Sequence, residues 1–215
     1  MLTLYSYFRS SAAYRVRIAL NLKGIDHRIV PVHLLRDGGE HLMPAYRAIN
    51  PGAAVPALRL ETGEVLAQSM AIIEYLDEVF PTPPLLPADA PGRARVRALA
   101  QMIACDIHPL NNLAVLKFLR QELGVDEAGK DRWYRHWVET GLGKVERVLG
   151  AGPPGRFCHG DAPTLADCLL LPQIFNARRF NADLSRLAEI QRIAAECERL
   201  EAFRDAAPEN QPDAE

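Results

Sequence analysis

Arg9, Ser10 and Ser11 stand at the mouth of the stretch YFRSSAAYRVRIALNLKG, with only alanines directly behind them. A helix start needs one capping hydroxyl, and here two hydroxyls and a guanidinium crowd it. The free N–H groups and positive dipole end of a helix favour an anion, and a hydroxyl adds one more donor. The chemistry on offer is capture of a negative group such as a thiolate. No cysteine occurs in residues 9–13, so a sulfur at this corner would belong to a ligand, and glutathione fits. A free thiol of that kind has a pKa of about 8.5, and lowering it by two units takes about 2.7 kcal/mol. Taken alone, a serine pair is more often a simple cap beside a surface arginine.

Two later corners weigh against the simple cap. In NPGAAVPAL, Pro56 precedes a strand, where proline is normally unwelcome. A cis Val55–Pro56 bond would leave the Val55 N–H and C=O to a peptide ligand; an ordinary edge-strand proline is the alternative. In AQSMAII, Gln68 and Ser69 fall where a strand hands over to a helix. Ser69 is expected to cap that helix and to hold a carboxylate. Three such corners in one small domain suit a γ-glutamyl tripeptide.

Further along, His108 before Pro109 either caps carbonyls freed by a kink or faces a ligand. Thr164-x-x-Asp167 reads as a capping box, and Trp133 with Trp137, one turn apart, as packing. Arg178 and Arg179 follow an apolar helix, as solvated charges or as holders of a carboxylate.

The elements that carry these residues follow from periodicity. LTLYSY (2–7) alternates like a strand. Ala12, Val16, Ala19 and Leu20 share one face of an amphipathic helix that Gly24 ends, and HRIVPVHL (27–34) is a second strand. Strand, helix, strand in about thirty residues is a right-handed unit with parallel strands. A short helical stretch, EHLMPAYRAIN, comes next, and then VPALRL and EVLAQS flank a hairpin turn at Glu61-Thr62-Gly63. MAIIEYLDEVF (70–80) is a helix. This order predicts an α/β, thioredoxin-like domain over 1–80. The proline-rich stretch 81–91 reads as a linker, and 92–215 as an all-α domain. Within the latter, one long helix is expected to kink at His108-Pro109, and the last to run over about 185–206.

Charge and composition narrow the partners. A net charge of −2 offers no general attraction to nucleic acid or acidic membranes, so an anionic substrate must be caught by local arginines. No apolar run approaches the 18 or so residues of a membrane span, and the start lacks the features of a signal peptide. Cys105, Cys158, Cys168 and Cys197 are scattered without a C-x-x-C, which signals neither a metal site nor a redox dithiol. Spaced thiols of this kind suit a reducing, cytoplasmic setting.

YFRSS…RVRIALNLKGI, NPGAAVPAL, QSMAIIEYLDE, PTPPLLPAD, IHPLNNLAVLKFL, GDAPTLADCLLLPQ and NARRF, in this order across nearly the whole chain, resemble the zeta-class glutathione transferases. The resemblance implies a homodimer with glutathione as a true cofactor. It places Ser10 and Ser11 at the glutathione sulfur, the Val55 backbone with Pro56 at the cysteinyl part, and Gln68 with Ser69 at the γ-glutamyl end. His41, His108 and Asn112 match further cofactor contacts, and Arg178 and Arg179 match the substrate-arginine region. Where the family commonly reads S-S-C, this chain has Ala12, leaving the serines as activating groups. The implied activity is glutathione-dependent cis–trans isomerisation of 4-maleylacetoacetate, a small dicarboxylate, to 4-fumarylacetoacetate in tyrosine and phenylalanine breakdown. It runs by thiolate addition, bond rotation and elimination, with Arg9 and Arg179 as cations for the carboxylates and the developing charge. The alternatives are a maleylpyruvate isomerase, a general zeta-class transferase, and a non-catalytic interaction protein of the same fold. For maleylpyruvate, added arginine is expected in NNLAVLK, where this chain has Leu113 and Ala114; a non-catalytic relative is expected to lack the thiolate-facing hydroxyls.

Overall fold

The alternating LTLYSY run forms strand β1 (Leu2–Ser6), helix α1 (Ser11–Leu22) follows, and β2 (His27–Pro31) returns parallel to β1, Leu4 opposite Ile29. Gly24 closes α1 in the left-handed region, φ +60°, as its position in the sequence requires. A loop with two short 3₁₀ turns and a four-residue helix α2 (Pro44–Arg47) leads to β3 (Ala57–Arg59) and β4 (Val65–Ala67). These pair antiparallel through the expected turn, in which Leu60 N–H donates to the Glu64 carbonyl at 2.8 Å. The sheet order is β2-β1-β3-β4, and α3 (Ser69–Val79) packs against α1.

A computed structural model describes residues 1–215, and the chain divides into two units, Met1–Pro84 with Glu198–Glu215, and Leu85–Cys197. The division differs from the expected one at its end: residues from Glu198 onward, read as the close of the helical domain, belong to the α/β unit. The reason lies in α1. Nine of its twelve residues are buried, Arg15 and Arg17 among them, so it is enclosed on most sides rather than amphipathic. Arg17, 1% exposed, donates to the Ala206 carbonyl at 2.8 Å, and Tyr14 to that of Phe203 at 3.4 Å. At its other end Lys23 donates to Asp77, the Phe80 carbonyl and the Pro83 carbonyl at 2.7–2.8 Å, tying α3 and the proline-rich segment to α1.

The second unit is helical. α4 (Ala90–Gln101) opens on the Asp89 cap and runs into a wider π-type turn at Met102–Ile107, then a 3₁₀ turn at His108–Asn111. The expected kinked helix is therefore broken. Pro109 cannot donate to the ladder, and α5 (Leu113–Gln121) starts afresh with Asn112 as its cap. α6 (Glu127–Gly150) buries Tyr134, Val138, Leu142, Val145 and Leu149, and α7 (Leu165–Arg179) is buried along most of its length. The last expected helix is divided into α8 (Ala188–Glu198) and the short α9 (Glu201–Asp205). No helix is long and apolar enough to cross a membrane.

Candidate functional site

The first unit holds Arg9, Ser10, Ser11, His41, Val55, Pro56, Gln68 and Ser69; the second holds His108, Asn112, Arg178 and Arg179. In the first, a tight turn follows β1: Ser10 N–H donates to the Tyr7 carbonyl at 2.9 Å, with Phe8 and Arg9 at its apex. Ser10 is the cap of α1, its Oγ accepting the Ala13 N–H at 3.2 Å. A hydroxyl that accepts one bond keeps its own proton, so Ser10 can cap and still donate to an incoming anion. Ser11 is already helical and 5% exposed, whereas Ser10 is half-buried at the surface. No acidic residue sits in the first turn of α1 to offset its positive end. The half-buried Arg9 lies with its guanidinium 4.7 Å from the centre of the Phe8 ring.

The Val55–Pro56 bond is cis. Neither the N–H nor the C=O of Val55 has a hydrogen-bond partner within the protein, which leaves a short peptide edge available. The preceding loop is held because the Ala54 carbonyl accepts from Tyr46 at 2.7 Å and Asn50 at 2.8 Å. Burial pushes the Tyr46 phenol up to about 12, so it remains a donor at any physiological pH. Val55 packs in one apolar cluster with Tyr5, Tyr7, Phe8 and Tyr46, which couples its position to that of the Ser10 turn.

Gln68 adopts φ +72°, ψ +116°, a left-handed backbone rare for a residue with a side chain. Such strain persists where surrounding structure enforces it, and it gathers at functional corners. Ser69 is not the cap foreseen for α3. It is the first helical residue, 6% exposed, and its Oγ accepts from Arg15 Nη1 at 3.2 Å. Arg15 was not singled out in the sequence, although it places a buried guanidinium beside the proposed carboxylate holder. Its position one turn after Ser11 is the signal that could have found it. His41 lies in the 3₁₀ turn Glu40–Leu42, half-buried. The preceding Gly39 has φ +113°, and a Cβ there would stand 2.5 Å from the His41 ring, so this approach requires glycine.

In the second unit α6 connects the other candidates. Trp133 Nε1 donates to the Leu110 carbonyl at 2.7 Å, anchoring the turn that carries His108 and precedes Asn112. One residue on, Tyr134 stacks on Phe180 at 3.6 Å, and the nearby Arg179 charge works against the upward shift of its phenol. Arg179 also lies 4.9 Å from the Phe180 ring centre, and burial raises the Tyr134 phenol to about 12. Arg179 is thus exposed but braced; Arg178, beside it at the end of α7, is exposed as well. Thr164 and Asp167 are structural: the buried Asp167 carboxylate accepts from the Cys158 N–H, Thr164 N–H and Thr164 hydroxyl at 2.7–2.9 Å.

Residues 9–79 match the family model of the glutathione S-transferase N-terminal domain. A maleylacetoacetate isomerase of Pseudomonas aeruginosa is 51% identical over 210 residues, covering 98% of this chain and 97% of that protein. A holo structure of a maleylpyruvate isomerase, described as a bacterial zeta-class glutathione S-transferase, superposes with a TM-score of 0.95 at 50% identity, covering 99% of this chain and all of the other. A maleylacetoacetate isomerase of Methylobacterium extorquens AM1, solved with malonate and glutathione, has a TM-score of 0.95 at 41% identity, with 99% of each chain covered. With identity of this order along its whole length, the chain belongs to the zeta-class glutathione transferases.

Proposed function

We propose that the protein is a glutathione-dependent cis–trans isomerase whose substrate is 4-maleylacetoacetate. The observation that carries this reading is the Ser10 corner: a half-buried, capping hydroxyl at a helix start with no acidic neighbour in its first turn. The residues present fit glutathione. The unpaired backbone edge of Val55 suits the cysteinyl amide, and Ser69 backed by Arg15 suits the γ-glutamyl carboxylate. Bound glutathione would supply a sulfur nucleophile that adds to the activated double bond and departs after rotation.

The protein's own groups then have separate tasks. The Ser10 hydroxyl donates to the anionic sulfur and holds it deprotonated. Arg9 neutralises charge that builds on the substrate's carbonyl oxygens. Arg179, lying against the Phe180 ring that Tyr134 stacks on, grips a substrate carboxylate with its planar fork, with Arg178 in reserve. His41, His108 and Asn112 serve the cofactor.

A place in tyrosine and phenylalanine breakdown, a cytoplasmic location and a homodimer complete the reading. All four cysteines are free thiols, which suits a reducing compartment. Maleylpyruvate is the second reading, supported by the 50% identity to a maleylpyruvate isomerase. Against it stand Leu113 and Ala114, where added arginine is expected for the shorter substrate. The test is loss of cis-substrate absorbance on incubation with glutathione, each substrate in turn. Turnover of 4-maleylacetoacetate at the higher kcat/KM is expected; preference for maleylpyruvate selects the second reading, and turnover of neither rejects both.

A further inference from the structure

Phe8, at the apex of the Ser10 turn, has its backbone held from both sides, by Asp213 at 205 residues' separation and by Arg17 nine residues on. Its N–H donates to the Asp213 carboxylate at 3.0 Å, and its carbonyl accepts from Arg17 Nη2 at 3.1 Å. Arg17 also donates to Ser6 Oγ at 3.0 Å, to the Tyr7 carbonyl at 3.4 Å and to the Ala206 carbonyl at 2.8 Å. The Tyr7 carbonyl is the same one that closes the turn by accepting from Ser10. Burial lowers Arg17 to about 10, while Tyr14 and Asp213 oppose that shift, so the guanidinium stays charged at neutral pH. A buried charge with donors in fixed directions keeps its acceptors in place, because losing any one leaves a desolvated donor.

We propose that Asp213 and Arg17 are positioning residues for Ser10, and that the segment from Ala206 to Asp213 acts as a strap fixing the Tyr7–Ser10 turn. This rests on the reading that Ser10 donates to the glutathione sulfur. An O–H aimed at a sulfur loses most of its effect when displaced by about 1 Å, so the turn's rigidity becomes part of thiol activation. Asp213 touches neither sulfur nor substrate in this account; it acts only through the Phe8 peptide.

The test uses full-length Asp213→Ala, Asp213→Asn, Ser10→Ala and the double variant Ser10→Ala/Asp213→Ala. Ultraviolet titration of the thiolate in the glutathione complex is the readout. Asp213→Ala should raise the bound thiol pKa by about one unit, a tenfold loss of thiolate at neutral pH. The sign is diagnostic. Deleting a nearby negative charge would by itself lower that pKa, so a rise reports lost positioning. Asp213→Asn keeps an acceptor for the Phe8 N–H and should stay near wild type. In the Ser10→Ala background Asp213→Ala should add no further rise, since both act through one hydroxyl.

A thiol pKa unmoved or lowered in Asp213→Ala, even with a lower melting temperature, overturns the strap while leaving Ser10 in its role. An equal rise with and without Ser10 also overturns it. If Ser10→Ala itself leaves the thiol pKa unmoved, the serine reading fails and takes the strap with it.

Discussion

The two serines differ more than their adjacency suggests. Ser10 caps α1 with its oxygen and keeps its proton for a ligand, while Ser11 is helical and nearly enclosed. Ser10→Ala is therefore expected to raise the pKa of bound glutathione with little change in its affinity, and Ser11→Ala to leave that pKa close to wild type. Ultraviolet titration of both complexes checks this, and a shift confined to Ser11→Ala would reverse the assignment. Arg179 is expected to matter for substrate alone. Arg179→Ala should lower kcat/KM by about 2–4 kcal/mol, the range for losing one member of a desolvated charge pair, with glutathione affinity unchanged. Tyr134→Phe keeps the stack on Phe180, which Arg179 lies against, and removes only the phenol oxygen near that charge, so its loss in kcat/KM should be smaller. A loss of glutathione binding in Arg179→Ala would assign that residue to the cofactor instead.

Among the helices, α7 depends most visibly on its first turn. Asp167 accepts three hydrogen bonds there while fully enclosed, and its removal strands the Thr164 and Cys158 N–H groups. Asp167→Ala should destabilise the fold by about 2–4 kcal/mol, read as a lower urea midpoint. Burial raises the Asp167 carboxyl above its ordinary value, and the hydrogen bonds from Cys158 and Thr164 only partly oppose it. A raised folded-state pKa means the fold holds this proton more tightly than the unfolded chain does. The stabilisation it confers is complete below the unfolded value of about 3.9 and is lost as pH climbs through the folded one. Asp167→Asn, which cannot titrate, should flatten that part of the stability–pH curve relative to wild type; an unchanged slope would show that the carboxylate stays ionised when buried.

For the molecule entire, the α/β unit counts only Met1–Pro84 and Glu198–Glu215, and Val79 and Phe80 at the end of α3 are exposed apolar side chains. Units this small commonly bury further surface by association, so a homodimer is expected. Light scattering at micromolar concentration should return twice 23.9 kDa, and a monomer at that concentration would contradict it.

Local pattern was enough for the β1-α1-β2 unit, the hairpin at Gly63, the cis-competent Val55-Pro56 corner and the Thr164–Asp167 box. Each of these is written within a few residues, by side-chain alternation, a glycine at positive φ or a cap and its partner three positions on. The Arg9-Ser10-Ser11 cluster was legible for the same reason, as was the family, because its motifs are short and ordered. Arg15 and Arg17 were not. A guanidinium in a helical pattern reads as a solvated face, and only the fold brings it Ser69, 54 residues away, or Ala206, 189 residues away. The same blindness hid the true cap of α3, where a strained Gln68 backbone displaces Ser69 into the helix, and the break of the long helix into a π-type turn. It also hid the end of the chain. A last helix expected over about 185–206 made residues after Glu198 read as the close of the helical domain, yet tertiary hydrogen bonds to α1 and to the Phe8 peptide decide that they belong to the α/β unit, since a buried charge must find its acceptors wherever the chain supplies them.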